Sequence, residues 1–269
     1  MRPLAAGRCA AYPGPVPEPR GATVLAYRIL LTALAPVLAL AGLIRWARGR
    51  EDRASLAGRL GLLRPAPGDA RPTIWLHAAS NGELASARPV IARLRAARPG
   101  HRLLITTNSL SGRAMAGTLA DDAQIAPLDL AWALRGFLRR WRIDTHVFLE
   151  SEFWPRRLDL CRAGGVPVIA LGARLSARSA RGWQRQPSLA RRVLGSLSAV
   201  SCQDAESAAR LAALGLPDDV RLPDLDLKAL YDIPAERPRA DLTRALPRDA
   251  TWLAASTHEG EDEIVLAAH

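Results

Sequence analysis

In this 269-residue chain, the carboxylates best placed for proton transfer follow short apolar runs, where a strand would give way to a helix. His77 to Glu83 reads HAASNGE. Its small residues and Gly82 let a ligand approach the backbone, and Glu83 falls where the next helix opens, so the helix dipole favours its ionised form. A carboxylate held there can take a proton from a substrate hydroxyl. The same spacing also fits a helix-start glutamate that only caps. Glu150 to Pro155 reads ESEFWP. Burying the closely spaced Glu150 and Glu152 costs free energy unless they are paired, so they either serve chemistry or meet an arginine. Thr106 to Gly112, TTNSLSG, offers hydroxyls such as Thr107 and a Gly before a helix. That suits phosphate or sugar contacts, or ordinary helix caps. Gly172 to Trp183, GARLSARSARGW, reads as an Arg/Ser-rich loop suited to anionic groups, or as a solvated charged face.

Composition narrows the chemistry further. The net charge is +11, and of 37 basic residues all but Lys228 are Arg. A single Lys in such a chain marks a position that wants a compact ammonium rather than a planar fork, unless it stands there by chance. Excess positive charge attracts phosphate on nucleic acid or anionic lipid, or it reflects biased composition over solvated helices. No basic–aromatic sheet pattern and no finger spacing points to nucleic acid. Cys9, Cys161 and Cys202 form no C-x-x-C pair, and the five histidines show no ligand spacing, so no metal is expected.

The elements that must position these residues follow from periodicity. Residues 29–44 are uncharged and almost wholly apolar; extended to 24–46 they reach the ~30 Å of a hydrocarbon core. Arg45, Arg48, Arg50, Arg53 and Arg59 follow, which places that side in the cytoplasm by the positive-inside rule. The segment is therefore expected to be a membrane anchor, spanning or interfacial, behind a disordered extension over 1–22. From residue 73, apolar runs at 73–79, 102–108, 125–129, 145–150, 166–173 and 197–203 alternate with helical stretches. That alternation predicts an α/β domain over 50–230, a doubly wound, Rossmann-like parallel sheet. Prolines and charges over 231–250 read as a linker. Residues 251–257 read as a strand and 258–269 as a helix, the first β-α unit of a further domain.

Taken together, these motifs resemble the Kdo (3-deoxy-D-manno-octulosonic acid) transferase family of lipid A biosynthesis. The pattern H-x-x-S-x-G-E is met by His77, Ser80, Gly82 and Glu83, and E-x-E-x-W-P by Glu150, Glu152, Trp154 and Pro155. A-R-L-S-x-R-S is met by Ala173 to Ser179, L-K by Leu227 and Lys228, and S-T-H-E-G-E by Ser256 to Glu261. Gly172 stands where the family has Asn. The resemblance implies a GT-B, inverting, metal-independent glycosyltransferase that moves Kdo from CMP-Kdo to a lipid A precursor (lipid IVA). It needs no cofactor and works on the cytoplasmic side of the inner membrane. It implies that Glu83 is the proton acceptor and that Glu150 and Lys228 stabilise the transition state. It further implies substrate contacts at Ser80, Gly82, Thr107, Gly112, Glu152, Arg174, Ser176, Ser256, His258 and Glu261. The family's R-H-P-E-R segment and later CMP-binding motifs are not among these 269 residues, so the donor-binding domain is expected to be truncated. The alternative is a non-catalytic, membrane-anchored remnant that binds lipid A precursor or a partner protein. A third reading is another GT-B enzyme acting on a nucleotide sugar.

Overall fold

The computed structural model describes residues 22–49, 51–230, 240–247 and 249–269, in two compact units, Met1–Tyr231 and Asp232–His269. The expected extension before residue 22, and half of the stretch expected to be a linker, lie outside the described residues.

The first unit is built on six parallel strands: β1 (Thr73–His77), β2 (Arg102–Thr107), β3 (Asp122–Ile125), β4 (Ile143–Leu149), β5 (Val168–Ala173) and β6 (Ala199–Cys202). Their spatial order is β3-β2-β1-β4-β5-β6. The chain moves outward from β1 to β3, then returns beside β1 with β4 and moves outward the other way. That reversal makes the β1/β4 boundary the switch point, where crevices open at the carboxyl ends of the strands. Both strands are buried along most of their length, as expected of a sheet covered on both faces.

Alternation along the strands feeds two cores. On one face Trp75, Leu104, Phe148 and Val168 pack beneath α6 (Ala131–Arg140), α7 (Pro155–Ala163), α8 (Ala177–Gln184), α9 (Pro187–Leu194) and α10 (Ala205–Ala213). On the other, Ile74, Leu76, Ile105 and Val147 pack against α3 (Asn81–Ser86), α4 (Arg88–Ala97) and α5 (Leu110–Ala116). A 3-10 turn, Leu227–Leu230, joins this second face through Leu227.

Three expectations are corrected. The third strand is not 125–129 but Asp122–Ile125, paired from Leu104↔Asp122 to Thr107↔Ile125. Pro127 has no N–H to give a ladder, whereas an edge strand tolerates a polar start: Asp122 pairs with buried Arg102 at 3.2 Å. The Arg/Ser-rich segment is not a loop beyond Ser176. Ser176 caps α8 by accepting from the Ser179 N–H, and Pro187 opens α9, which buries Leu189, Ala190, Val193 and Leu194. Its charges lie on the outer faces of short amphipathic helices. Residues 251–257 form no strand; a strand needs a partner for its N–H and C=O groups, and no described segment of the second unit pairs with them. That unit contains α11 (Ala240–Ala245) and α12 (Glu261–Ala268), with Leu253, Ile264 and Leu266 exposed.

The apolar N-terminal segment is helical as α1 (Ala22–Ala47), and Ile29–Ala47 is long and apolar enough to cross a membrane. It meets the first unit near both ends. The Tyr27 hydroxyl donates to Asp129 at 2.7 Å, and Arg45 pairs with Glu51 at 2.7 Å, beside α2 (Arg53–Arg59).

Candidate active site

The switch point brings the first and fourth strand-end loops together. His77 pairs in register with Phe148, so HAASNGE and ESEFWP leave the sheet side by side. Ser80 caps α3 by accepting from the Glu83 N–H at 3.2 Å, and its hydroxyl donates to Glu83 Oε1 at 3.1 Å. The Ala79 N–H donates to Glu83 Oε2 at 2.9 Å. The carboxylate therefore does cap, and the same bonds hold it at the mouth of the sheet. Burial pushes its pKa above the ordinary carboxylate range; the Ala79 N–H opposes this, and the charges of Glu150 and Glu152 add to it. A carboxylate raised in this way is a better proton acceptor near neutral pH than a solvated one.

Glu150 sits at φ +52, a left-handed conformation that costs a non-glycine residue roughly 1 kcal/mol. It is held there from both sides: its N–H donates to Leu171 O at 3.1 Å and its carbonyl accepts from the Arg174 N–H at 3.3 Å. Such strain persists where the surroundings over-determine the backbone, as at functional sites. The Ser151 hydroxyl donates to Arg174 O at 2.9 Å, which ties the ESEFWP loop to the GARLS segment. Arg174, Ser176 and Ser179 then line a recess of about 350 Å³ with Ser151 and Trp183.

Glu152 is paired, though not with an arginine in contact. His77 Nε2 lies 2.9 Å from its Oε2, and the Trp154 indole N–H donates to the same oxygen at 2.5 Å. On the other side, His77 Nδ1 is 2.8 Å from Thr106 Oγ1, which accepts the Trp75 indole N–H at 2.7 Å. Nδ1 also faces the Thr106 carbonyl at 3.0 Å, and because an ionised Glu152 can only accept, the bond between them uses the His77 Nε2–H. His77 is buried, and burial lowers its pKa, which keeps it neutral. Burial alone would raise Glu152; the His77 and Trp154 hydrogen bonds and nearby positive charge outweigh it and hold the carboxyl at about 2. The positive charge includes Arg157, buried, with its guanidinium 5.2 Å from the Trp75 ring centre.

Of the other expected site residues, Gly82 meets no close neighbour across the loop, its ideal Cβ lying 3.9 Å from Ser80 Oγ. Thr107 is buried and donates to Ser109 O, and Gly112 is needed for packing, since a Cβ there would lie 2.9 Å from Thr107 Cβ. Lys228 sits on the 3-10 turn that packs against α3, and its N–H donates to Asp226 at 2.9 Å. Its ammonium is exposed and makes no hydrogen bond or ion pair among the described residues. Gly172 explains how that turn fits. At φ +60, its Cβ position lies 3.2–3.3 Å from Leu225 and Leu227; asparagine, the residue the family pattern has here, is among the few that tolerate the same conformation. Ser256, His258 and Glu261 belong to the second unit, where the His258 N–H donates to Glu261 Oε2 at 2.8 Å at the start of α12.

Sequence reasoning did not single out Asp129, Arg157 or Tyr27. Asp129 accepts from the Arg156 and Arg157 N–H groups at 2.9 and 2.6 Å, capping α7 from a distance, and also takes the Tyr27 hydroxyl. Nothing local marks an aspartate as the cap of a helix more than twenty residues later.

Comparisons with known proteins identify the family. A family model described as 3-deoxy-D-manno-octulosonic-acid transferase (kdotransferase) matches residues 54–228. The 3-deoxy-D-manno-octulosonic acid transferase of Haemophilus influenzae is 30 % identical over 252 residues, covering 90 % of this chain and 58 % of that protein. That of Bordetella pertussis is 31 % identical over 268 residues, with the same coverage of 90 % and 58 %. A probable mitochondrial 3-deoxy-D-manno-octulosonic acid transferase of Arabidopsis thaliana is 29 % identical, covering 90 % and 56 %. The chain thus spans somewhat over half the length of the curated relatives it matches. Among solved structures it is similar to the UDP-GlcNAc 2-epimerase of Neisseria meningitidis bound to UDP-GlcNAc, at 13 % identity and a TM-score of 0.40, covering 56 % of this chain and 45 % of that one. The family match takes in all six strands, both carboxylate loops and Lys228, and the chain belongs to the 3-deoxy-D-manno-octulosonic-acid transferase family.

Proposed function

We propose that the chain is the acceptor-side half of a membrane-bound, inverting GT-B transferase that moves Kdo from CMP-Kdo to a lipid A precursor at the inner membrane. In this reading the second unit begins the donor-binding domain, and Ser256, His258 and Glu261 contribute there. The observation that carries it is Glu83, fixed by Ala79 and Ser80 at the switch point, with its pKa raised by burial and by two neighbouring carboxylates. Glu83 takes the proton of the acceptor hydroxyl as its oxygen attacks the anomeric carbon from the face opposite the departing CMP. The phosphate and the anionic sugar carry negative charge in the transition state, which suits Lys228 and Arg174 as fixed positive groups near the cleft. Glu150, across the mouth, stabilises the electron-poor sugar.

The test is CMP release from CMP-Kdo with lipid acceptor in vesicles, using the chain alone and supplemented with the C-terminal part of a relative. Glu83→Gln keeps an acceptor for the Ala79 N–H and removes the base. Activity is expected to fall about 10²–10⁴-fold, while the melting temperature at neutral pH does not fall, because the variant no longer holds a half-buried charge. Undiminished release by Glu83→Gln would overturn the assignment. No release even with the added C-terminal part would favour the non-catalytic remnant.

A further inference from the structure

A groove of about 500 Å³ runs between the start of α1, the ESEFWP loop and the α8–α9 pair. Its walls are mainly apolar, made by Tyr27, Phe153, Trp154, Trp183 and Leu189, with Gly182 leaving open space. Three observations say what fills it. First, one wall is the anchor helix itself. α1 touches the first unit near both ends, through Tyr27–Asp129 and through Arg45–Glu51, with Gly42 against Leu56. It therefore lies along the domain, with Ile29, Leu30, Val37 and Leu40 turned outward and mostly exposed. The groove therefore opens beside the segment of the chain that is apolar enough to enter a membrane. Second, the groove changes character along its length. It shares Ser151, Phe153, Ser179 and Trp183 with the recess that holds Arg174 and Ser176, and Glu152 lies on its wall. Third, α8 carries exposed Arg178 and Arg181 beside groove-lining Ser179 and Gly182, and neither arginine has an acidic partner among the described residues. Unpaired arginines at a membrane surface attract lipid phosphates.

An occupant that is apolar at one end and anionic at the other, and that arrives from the membrane plane, is a lipid. We propose that this groove takes an acyl chain of a membrane-resident lipid, with the lipid's phosphate drawn to Arg174 and the start of α8. The acceptor would thus be held by its tail as its sugar reaches the carboxylates. This deepens the transferase reading and rests on its lipid-borne acceptor, but it concerns binding and needs neither donor nor turnover.

The experiment places the full chain on vesicles of phosphatidylethanolamine and phosphatidylglycerol doped with a phospholipid bearing a diazirine at the end of one acyl chain. After illumination, labelled peptides are mapped. Label is expected on peptides containing residues 151–155 and 182–189 as well as on α1. Gly182→Leu fills the open space in a helix where glycine is a poor helix former, so folding should be preserved. It should cut the groove label about tenfold and leave the α1 label and vesicle binding unchanged. Gln186→Trp, at an exposed position on the same groove, is a second plug with the same expected result. Label confined to α1, or groove label indifferent to both plugs, would overturn the proposal. Groove label without CMP release would leave the groove standing and count against the transferase, and CMP release without groove label would do the reverse.

Discussion

Around Glu152, a buried hydrogen-bond network joins Trp75, Thr106, His77 and Glu152, with Trp154 closing on the same carboxylate oxygen. One carboxylate is pulled down while its neighbour Glu83 is pushed up, and two carboxyl groups held apart in pKa are equipped for different tasks. The pH consequence follows from the sign. A depressed folded-state pKa adds stability above the ordinary carboxylate value, and this is lost as pH falls through the folded value. Glu152 should therefore contribute on the order of 1–2 kcal/mol at neutral pH after solvent screening, fading from about pH 4.5 to about 2. Melting temperatures of wild type and Glu152→Gln across that range should converge toward the acid end; a constant gap would contradict the pairing. Of this cluster, the sequence shows Glu83, Glu150 and Glu152 by their places after apolar runs. His77 carries no sign of its partner, because Glu152 is 75 residues away and only strand pairing makes them neighbours.

Among the elements, α7 shows how a local start depends on a distant one. Its N-cap residue, Trp154, has no capping oxygen, and Asp129 supplies both acceptors from just before α6. Asp129 also faces the buried Arg157 charge and receives Tyr27 from α1, so one carboxylate joins α1 to the start of α7. Asp129→Ala removes the acceptor of two backbone N–H groups and the Tyr27 hydroxyl and leaves Arg157 with Glu152 as its nearby carboxylate, which should cost about 2–4 kcal/mol. Tyr27→Phe removes one hydrogen bond and should cost about 1 kcal/mol. Urea unfolding of both variants checks the order; equal effects would mean that Asp129 does no more than hold α1. The short helices α8 and α9 were illegible for a related reason. Their arginines mask a narrow apolar stripe that becomes visible only once the sheet face that buries Leu189 and Val193 is known.

At the scale of the whole molecule, the net charge of +11 becomes specific through placement. Some arginines are consumed in pairs, as Arg102 with Asp69 and Asp122, and Arg192 with Asp159. Arg178 and Arg181 stay exposed on α8, beside the groove that starts at α1. Replacing both with Gln should weaken binding to phosphatidylglycerol-containing vesicles about 20–30-fold at low salt, given about 1 kcal/mol for each arginine near an anionic surface. The difference should shrink as added salt shortens the Debye length. Sedimentation with vesicles across a salt series measures this, and a salt-independent difference would point to lost packing instead.

Local chemistry alone determined much of this protein. The 26-residue apolar helix, the beat of buried strands and amphipathic helices, and the carboxylates at strand ends all follow from hydropathy and spacing within a few residues. Only the tertiary structure decided that β4 returns to lie beside β1, because the order of parallel strands is set by packing between segments far apart in the chain. That choice put Glu83 beside Glu150 and Glu152, gave His77 its partner, and left α1 along the domain as one wall of a groove.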